Sequence, residues 1–131
     1  GKTAKAMADV ISKEGLDVLQ EVWGSEVTLH YPGLYAGQTD LVGTYDYEDS
    51  IVDFKQSNKM KRKEWIEDYY LQMAAYAMAH NITYNTQITQ GVILMCTPRG
   101  EFQKFIAKGR EFVKYQHAWL KRVDAYYKAK K

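Results

Sequence analysis

The period of the hydrophobic pattern changes along the chain, and those changes restrict the fold more than any other feature. Through residues 5–23 the apolar positions Met7, Ala8, Ile11, Leu16, Val18, Leu19, Val22 and Trp23 follow a helical stripe. The spacing predicts an amphipathic helix there, with Gly15 as a bend. From Ser25 the period is two: Val27, Leu29 and Tyr31 alternate with Glu26, Thr28 and His30 until Pro32 and Gly33 mark a turn. Residues 34–45 read as a second strand, the polar run 46–49 as a hairpin loop, and residues 50–55 as a third strand. The helical period returns over 64–80, then 88–96 reads as a buried strand, 98–100 as a turn, 101–107 as an edge strand and 109–128 as a last helix. The order α-β-β-β-α-β followed by β-α predicts an α/β (α+β) fold, a mixed central sheet flanked by helices.

Composition agrees with a single folded unit. The chain has 131 residues, of which 46% are hydrophobic and 26% charged, so disorder and fibrous structure are excluded. No Pro/Gly/Ser-rich linker or internal repeat divides it, and one domain is expected over residues 1–131. Cys96, the single cysteine, excludes an internal disulfide and multi-cysteine zinc or iron–sulfur sites, so oxygen or histidine ligands must hold any metal. A reducing, intracellular and cytoplasmic setting is the expectation. No apolar run approaches about 18 residues and no signal-peptide pattern opens the chain, so no membrane partner is expected.

Charge is unevenly placed. Residues 1–54 carry three Lys and ten Asp or Glu, whereas residues 55–131 carry fifteen Lys or Arg and six acids. Concentrated carboxylates beside cationic surface suit a metal-dependent enzyme acting on a polyanion.

The chemistry centres on the run Ile51-Val52-Asp53-Phe54-Lys55. Strand side chains alternate, so Asp53 and Lys55 share one face while Val52 and Phe54 occupy the other. A hairpin centred near Glu48 or Asp49 brings Asp40 towards the level of Asp53. Two converging carboxylates repel, and a divalent cation relieves that repulsion. Oxygen-only ligation with retained waters is the pattern of Mg²⁺ or Mn²⁺.

The ordered set Gly37-x-x-Asp40, Asp53-Phe54-Lys55 and Gln72-x-x-x-Tyr76 resembles the PD-(D/E)XK nuclease superfamily, in its RecB-like branch. Within that branch it is most similar to mitochondrial genome maintenance exonucleases and their phage and bacterial relatives. The resemblance implies a restriction-endonuclease-like core and a metal-dependent phosphodiesterase acting on DNA, most simply an exonuclease on single strands or ends. It makes Asp40, Asp53 and the Phe54 carbonyl metal ligands and Lys55 the catalytic lysine. Gln72 and Tyr76, four apart on one helix face, would border the site and the DNA backbone. A replication or recombination assembly would be the larger partner. Thr39 stands where the family has its proline, and Gln56 where a small hydroxyl residue is expected. The alternatives from the same scaffold are a structure- or sequence-selective endonuclease and a catalytically weak nucleic-acid-binding module.

Further candidates surround this set. Glu26 and His30 share a strand face and are candidate additional ligands. Lys59, Lys61, Arg62 and Lys63 follow the third strand closely enough to neutralise DNA phosphates. Tyr31, Tyr35 and Tyr47 are candidates for base stacking, whereas Trp65, Tyr69, Trp119 and Tyr126 fall at helical spacing and are expected in the core. His80 and His117 have no partner at ligand spacing and read as structural.

Overall fold

A computed structural model describes residues 2–130. Three helices flank one five-stranded sheet of order β1-β2-β3-β4-β5. The elements are α1 (Lys2–Gly15), β1 (Leu19–Tyr31), β2 (Tyr35–Tyr45), β3 (Glu48–Gln56), α2 (Glu67–Tyr84), β4 (Gln90–Cys96), β5 (Phe102–Lys108) and α3 (Gly109–Ala129). All neighbours are antiparallel except β3 and β4, which run parallel because α2 carries the chain across between them. This is the mixed α+β sheet with flanking helices that the sequence predicts. No described helix is long and apolar enough to cross a membrane.

The two faces of the sheet bury separate cores. On one, Met7 and Ile11 of α1 pack with Leu41, Tyr45, Val52, Val92, Leu94 and Cys96. On the other, α2 lies against Leu29, Val42, Ile51, Ile93 and Met95, with Phe112 of α3 completing the cluster. Every residue of β4 is buried, as expected for a strand covered on both faces. Alternation along β3 holds: Ile51 belongs to the α2 side, and Val52 and Phe54 to the α1 side.

Three sequence expectations about these elements are overturned. Residues 19–23 are strand, not helix. Helix α1 stops at Gly15, where an added Cβ would meet the Leu94 side chain at 2.9 Å. The Gly15 carbonyl accepts the buried Tyr45 hydroxyl at 2.5 Å, and Leu19 then pairs with Tyr45; tertiary pairing overrides the helical spacing. Second, the β2–β3 hairpin turns over Asp46 and Tyr47, both with φ near +50° to +67°, rather than over 46–49. Left-handed conformations at both central positions match the twist of the flanking strands. Third, residues 63–66 form a 3₁₀ turn ahead of α2. Its tighter winding puts Ile66 in the core and turns Trp65 outward, 62% exposed. Tyr126 is likewise exposed rather than core.

In the last turns of α2, His80 is buried beside Trp23 and Tyr84, with Nδ1 2.7 Å from the Thr86 hydroxyl. Burial holds its imidazole below the ordinary value of 6.5. The unfolded chain therefore takes up this proton first as pH falls. Stability from neutral His80 is present above about 6.5 and is lost as pH falls through the lower folded value. Melting temperatures followed between pH 7 and 5 should fall less steeply for His80→Gln than for the parent; equal slopes would exclude this contribution.

Candidate active site

The ladder between β2 and β3 ends at Leu41 and Val52, whereas β1–β2 continues to Tyr31 and Tyr35 and β3–β4 to Gln56 and Cys96. The sheet forks at this level, and the next pair in register is Asp40 and Asp53. Side chains take over from the ladder there. Asp53 Oδ1 accepts the Asp40 backbone N–H at 3.0 Å, and Asp40 Oδ2 accepts the Phe54 N–H at 2.8 Å. A third bond comes from the Thr39 hydroxyl to Asp53 Oδ1 at 2.9 Å. These bonds use one oxygen of each carboxylate, which leaves the second available to a cation.

Asp53 is 4% exposed. Burial pushes its carboxyl above the ordinary range, against the hydrogen bonds from Asp40 and Thr39 and the positive charge of Lys55; the Asp40 charge pushes the same way as burial. Lys55, two residues on, lies on the face shared with Asp53, its Nζ 4.8 Å from the centroid of the Tyr69 ring on α2. No described ion pair engages Lys55. A half-buried ammonium over an aromatic ring is positioned without being neutralised.

Helix α2 forms the wall of the fork. Tyr76 packs against Gly37, where an added Cβ would lie 2.5 Å from its ring, so this close approach requires glycine. Burial raises the Tyr76 phenol above its ordinary value, and the charges of Asp53 and Asp40 add to the shift. Hydrogen bonding to the Gln38 main chain and the Gln72 side chain opposes it. The Tyr35 hydroxyl donates to the Ala75 carbonyl at 2.9 Å, which holds the β1–β2 arm to the same helix. The structure thus brings together Asp40, Asp53, Lys55, Gln72 and Tyr76. It adds Thr39, whose only sequence signal is a hydroxyl next to Asp40, and Tyr69, which helical spacing assigns to the core.

Other candidates stand apart. Among the described residues no third His, Cys, Asp or Glu joins the two aspartates in a metal-binding group. Glu26 is level with Asp40 but exposed, with a left-handed backbone (φ 51°), and His30 is exposed further along β1 opposite Ala36. Strand alternation predicts that the two share a face, and neither joins the aspartates in a metal-binding group among the described residues. Lys63 is engaged by Glu111 of α3 at 2.7 Å, while Lys59, Lys61 and Arg62 enter no described ion pair. Tyr31 and Tyr35 pack together against the α2 core, with Tyr35 edge-on to Trp119. Tyr47 is 84% exposed in the hairpin turn, at the far end of β2 and β3 from the aspartates.

No family model and no curated protein matches the chain. Among solved structures, the chain is similar to a protein named a "putative exonuclease" from Eubacterium rectale, with TM-score 0.63 and 16% identity over 95% of this chain. The match spans 50% of that protein, so the chain has about half its length. A second structure, that of SSO0001, matches 91% of this chain and 55% of its own at TM-score 0.47 and 11% identity. The first likeness shows a nuclease-like fold.

Two substitutions test the geometry of the pair. Thr39→Val removes a donor to a buried carboxylate and should lower stability by about 1.5–3 kcal/mol in chemical denaturation, with Thr39→Ser restoring most of it; a neutral Val variant would show the bond to be idle. Asp53→Asn keeps an oxygen for both donors while removing the buried charge. In EDTA at neutral pH it should melt several degrees above the parent, and a lower melting point would contradict the electrostatic reading.

Proposed function

We propose that this chain is a PD-(D/E)XK-type nuclease domain that hydrolyses DNA with Mg²⁺ or Mn²⁺, acting on single strands or DNA ends. The observation that carries the reading is the fork: two strands part where their next residues are both aspartates, and a lysine follows two positions later on the same face. The likeness to the fold of a named exonuclease supports the same class.

The donor set fits a hard divalent cation. Each aspartate keeps one oxygen clear of its hydrogen bonds, and the Phe54 carbonyl is the remaining ligand that the family resemblance adds. Asp40 and Asp53 would hold the ion between the parted strands. When bound, such an ion supplies Lewis-acid polarisation of the scissile phosphate and offsets carboxylate charge. The chain's own residues do the rest. Lys55, kept in place by Tyr69, orients the attacking water and offsets negative charge building on the phosphoryl oxygens. Gln72 and Tyr76 line the helix side of the fork and position the strand, where small displacements cost rate. Lys59, Lys61 and Arg62 neutralise backbone phosphates, which makes binding depend on salt.

The test is degradation of end-labelled single-stranded, duplex and closed-circular DNA in Mg²⁺, Mn²⁺ or EDTA. Linear strands should shorten only with metal, and the label lost first gives the polarity. Asp53→Ala and Lys55→Ala should each cut at least about a hundredfold more slowly while DNA binding persists. A variant as active as the parent would remove that residue from the mechanism. Cutting of closed circles would identify an endonuclease, and a folded protein that binds without cutting would be a binding module.

A further inference from the structure

The segment between β3 and α2 crosses the end of the sheet on which Lys55 stands. Lys55, Met95 and Gln103 are in register across β3, β4 and β5. The Gln103 side chain clamps the main chain of Lys61 with two bonds of 2.8 Å, to its N–H and its carbonyl. Adjacent strands lie about 4.8 Å apart, so Gln103 of β5, to which the segment is clamped, is about 10 Å across the sheet from Lys55. Two residues on, Lys63 bonds both oxygens of Glu111 on α3 at 2.9 and 2.7 Å. The segment is therefore fixed at two points.

What it displays is an indole. The 3₁₀ turn buries Ile66 and leaves Trp65 with 62% of its surface in solvent, four residues before the Tyr69 ring that holds Lys55. The Arg62 guanidinium stands 5.4 Å from the Trp65 ring centroid, and Lys59 lies in the same exposed stretch. A scattered exposed apolar residue needs no explanation. This one is the largest aromatic side chain, sits on an anchored turn, and is flanked by cations beside the candidate lysine. A flat π-surface among cations is the combination that takes single-stranded nucleic acid, in which the bases stack and the phosphates meet positive charge.

We propose that Trp65 is a stacking platform for one nucleobase of a single DNA strand, with Arg62 and Lys59 on the adjoining phosphates. It deepens the nuclease reading and rests on it for the identity of the strand. A duplex keeps its bases stacked on one another, so the platform selects frayed or single-stranded ends over closed duplex.

Binding in EDTA separates this from cleavage. Anisotropy of a dye-labelled oligothymidylate is measured with the parent, Trp65→Ala and Trp65→Phe, and repeated with an abasic strand of equal length. Trp65→Ala should bind the thymidine strand about tenfold more weakly, and Trp65→Phe within about threefold of the parent. On the abasic strand all three should bind alike. Equal binding of the thymidine strand by the parent and Trp65→Ala overturns the proposal, as does an equal loss on both strands or a parent that binds neither. The nuclease reading stands or falls separately, on metal-dependent cutting and its loss in Asp53→Ala. A protein that binds through Trp65 without cutting would keep the platform and lose the nuclease.

Discussion

Where β2 and β3 part, the N–H groups of Asp40 and Phe54 both face the opening, where no ladder carbonyl accepts them. An unsatisfied buried N–H costs about 1–3 kcal/mol, so a sheet does not fork without a replacement acceptor. Here each strand's carboxylate caps the other strand's N–H, at 3.0 and 2.8 Å. The reciprocal arrangement holds the fork open at one width and fixes the rotamer of both aspartates. The same residues that stabilise the opening are thereby aimed into it. Helix α2 depends on that geometry, since Tyr35 and Gly37 of the splayed arm form its seat through the Ala75 carbonyl and the Tyr76 ring.

The cost of this arrangement falls on Asp53. A carboxylate with 4% exposure is held above its ordinary pKa by burial, despite two donors on Oδ1 and a lysine two residues away. A chain selected for stability alone would place a neutral residue there. Under the nuclease reading proposed above, a buried charge beside an ammonium that no described ion pair engages would serve a bound cation and phosphate rather than the fold.

Much of this was legible because alternation is a rigid rule within a regular strand. It placed Asp53 and Lys55 together and Val52 and Phe54 opposite, and the helical period of α2 put Gln72 with Tyr76. The misses have distinct physical origins. Leu19 to Trp23 satisfy a helical pattern locally, but pairing with β2 decides their state. Trp65 fits the α2 stripe only if the helix begins three residues earlier; the 3₁₀ turn shifts the phase and exposes it. Thr39 carries no signal beyond a hydroxyl next to Asp40, because its bond is to a residue fourteen positions away. A proline at that position would have no hydroxyl, so the Thr39 bond to Asp53 is one that a proline could not make.

Glu26 and His30 show what a broken rule means. Thr39 faces Asp53, on the side of the sheet where Ile51 lies, and Val42 also shares the core of Ile51. Those two residues of β2 are three apart, an odd step, so the pleat slips by one residue at Asp40 and Leu41. The Asp40 carboxylate accepts the Phe54 N–H at this level. A distortion in one strand must be matched by its neighbour, and at the same level of β1 Glu26 adopts φ 51°, which side chains rarely accept. The strand that carries this residue, β1, is an edge of the sheet. Glu26 thus stands level with Asp40 in a left-handed conformation, where alternation along β2 breaks.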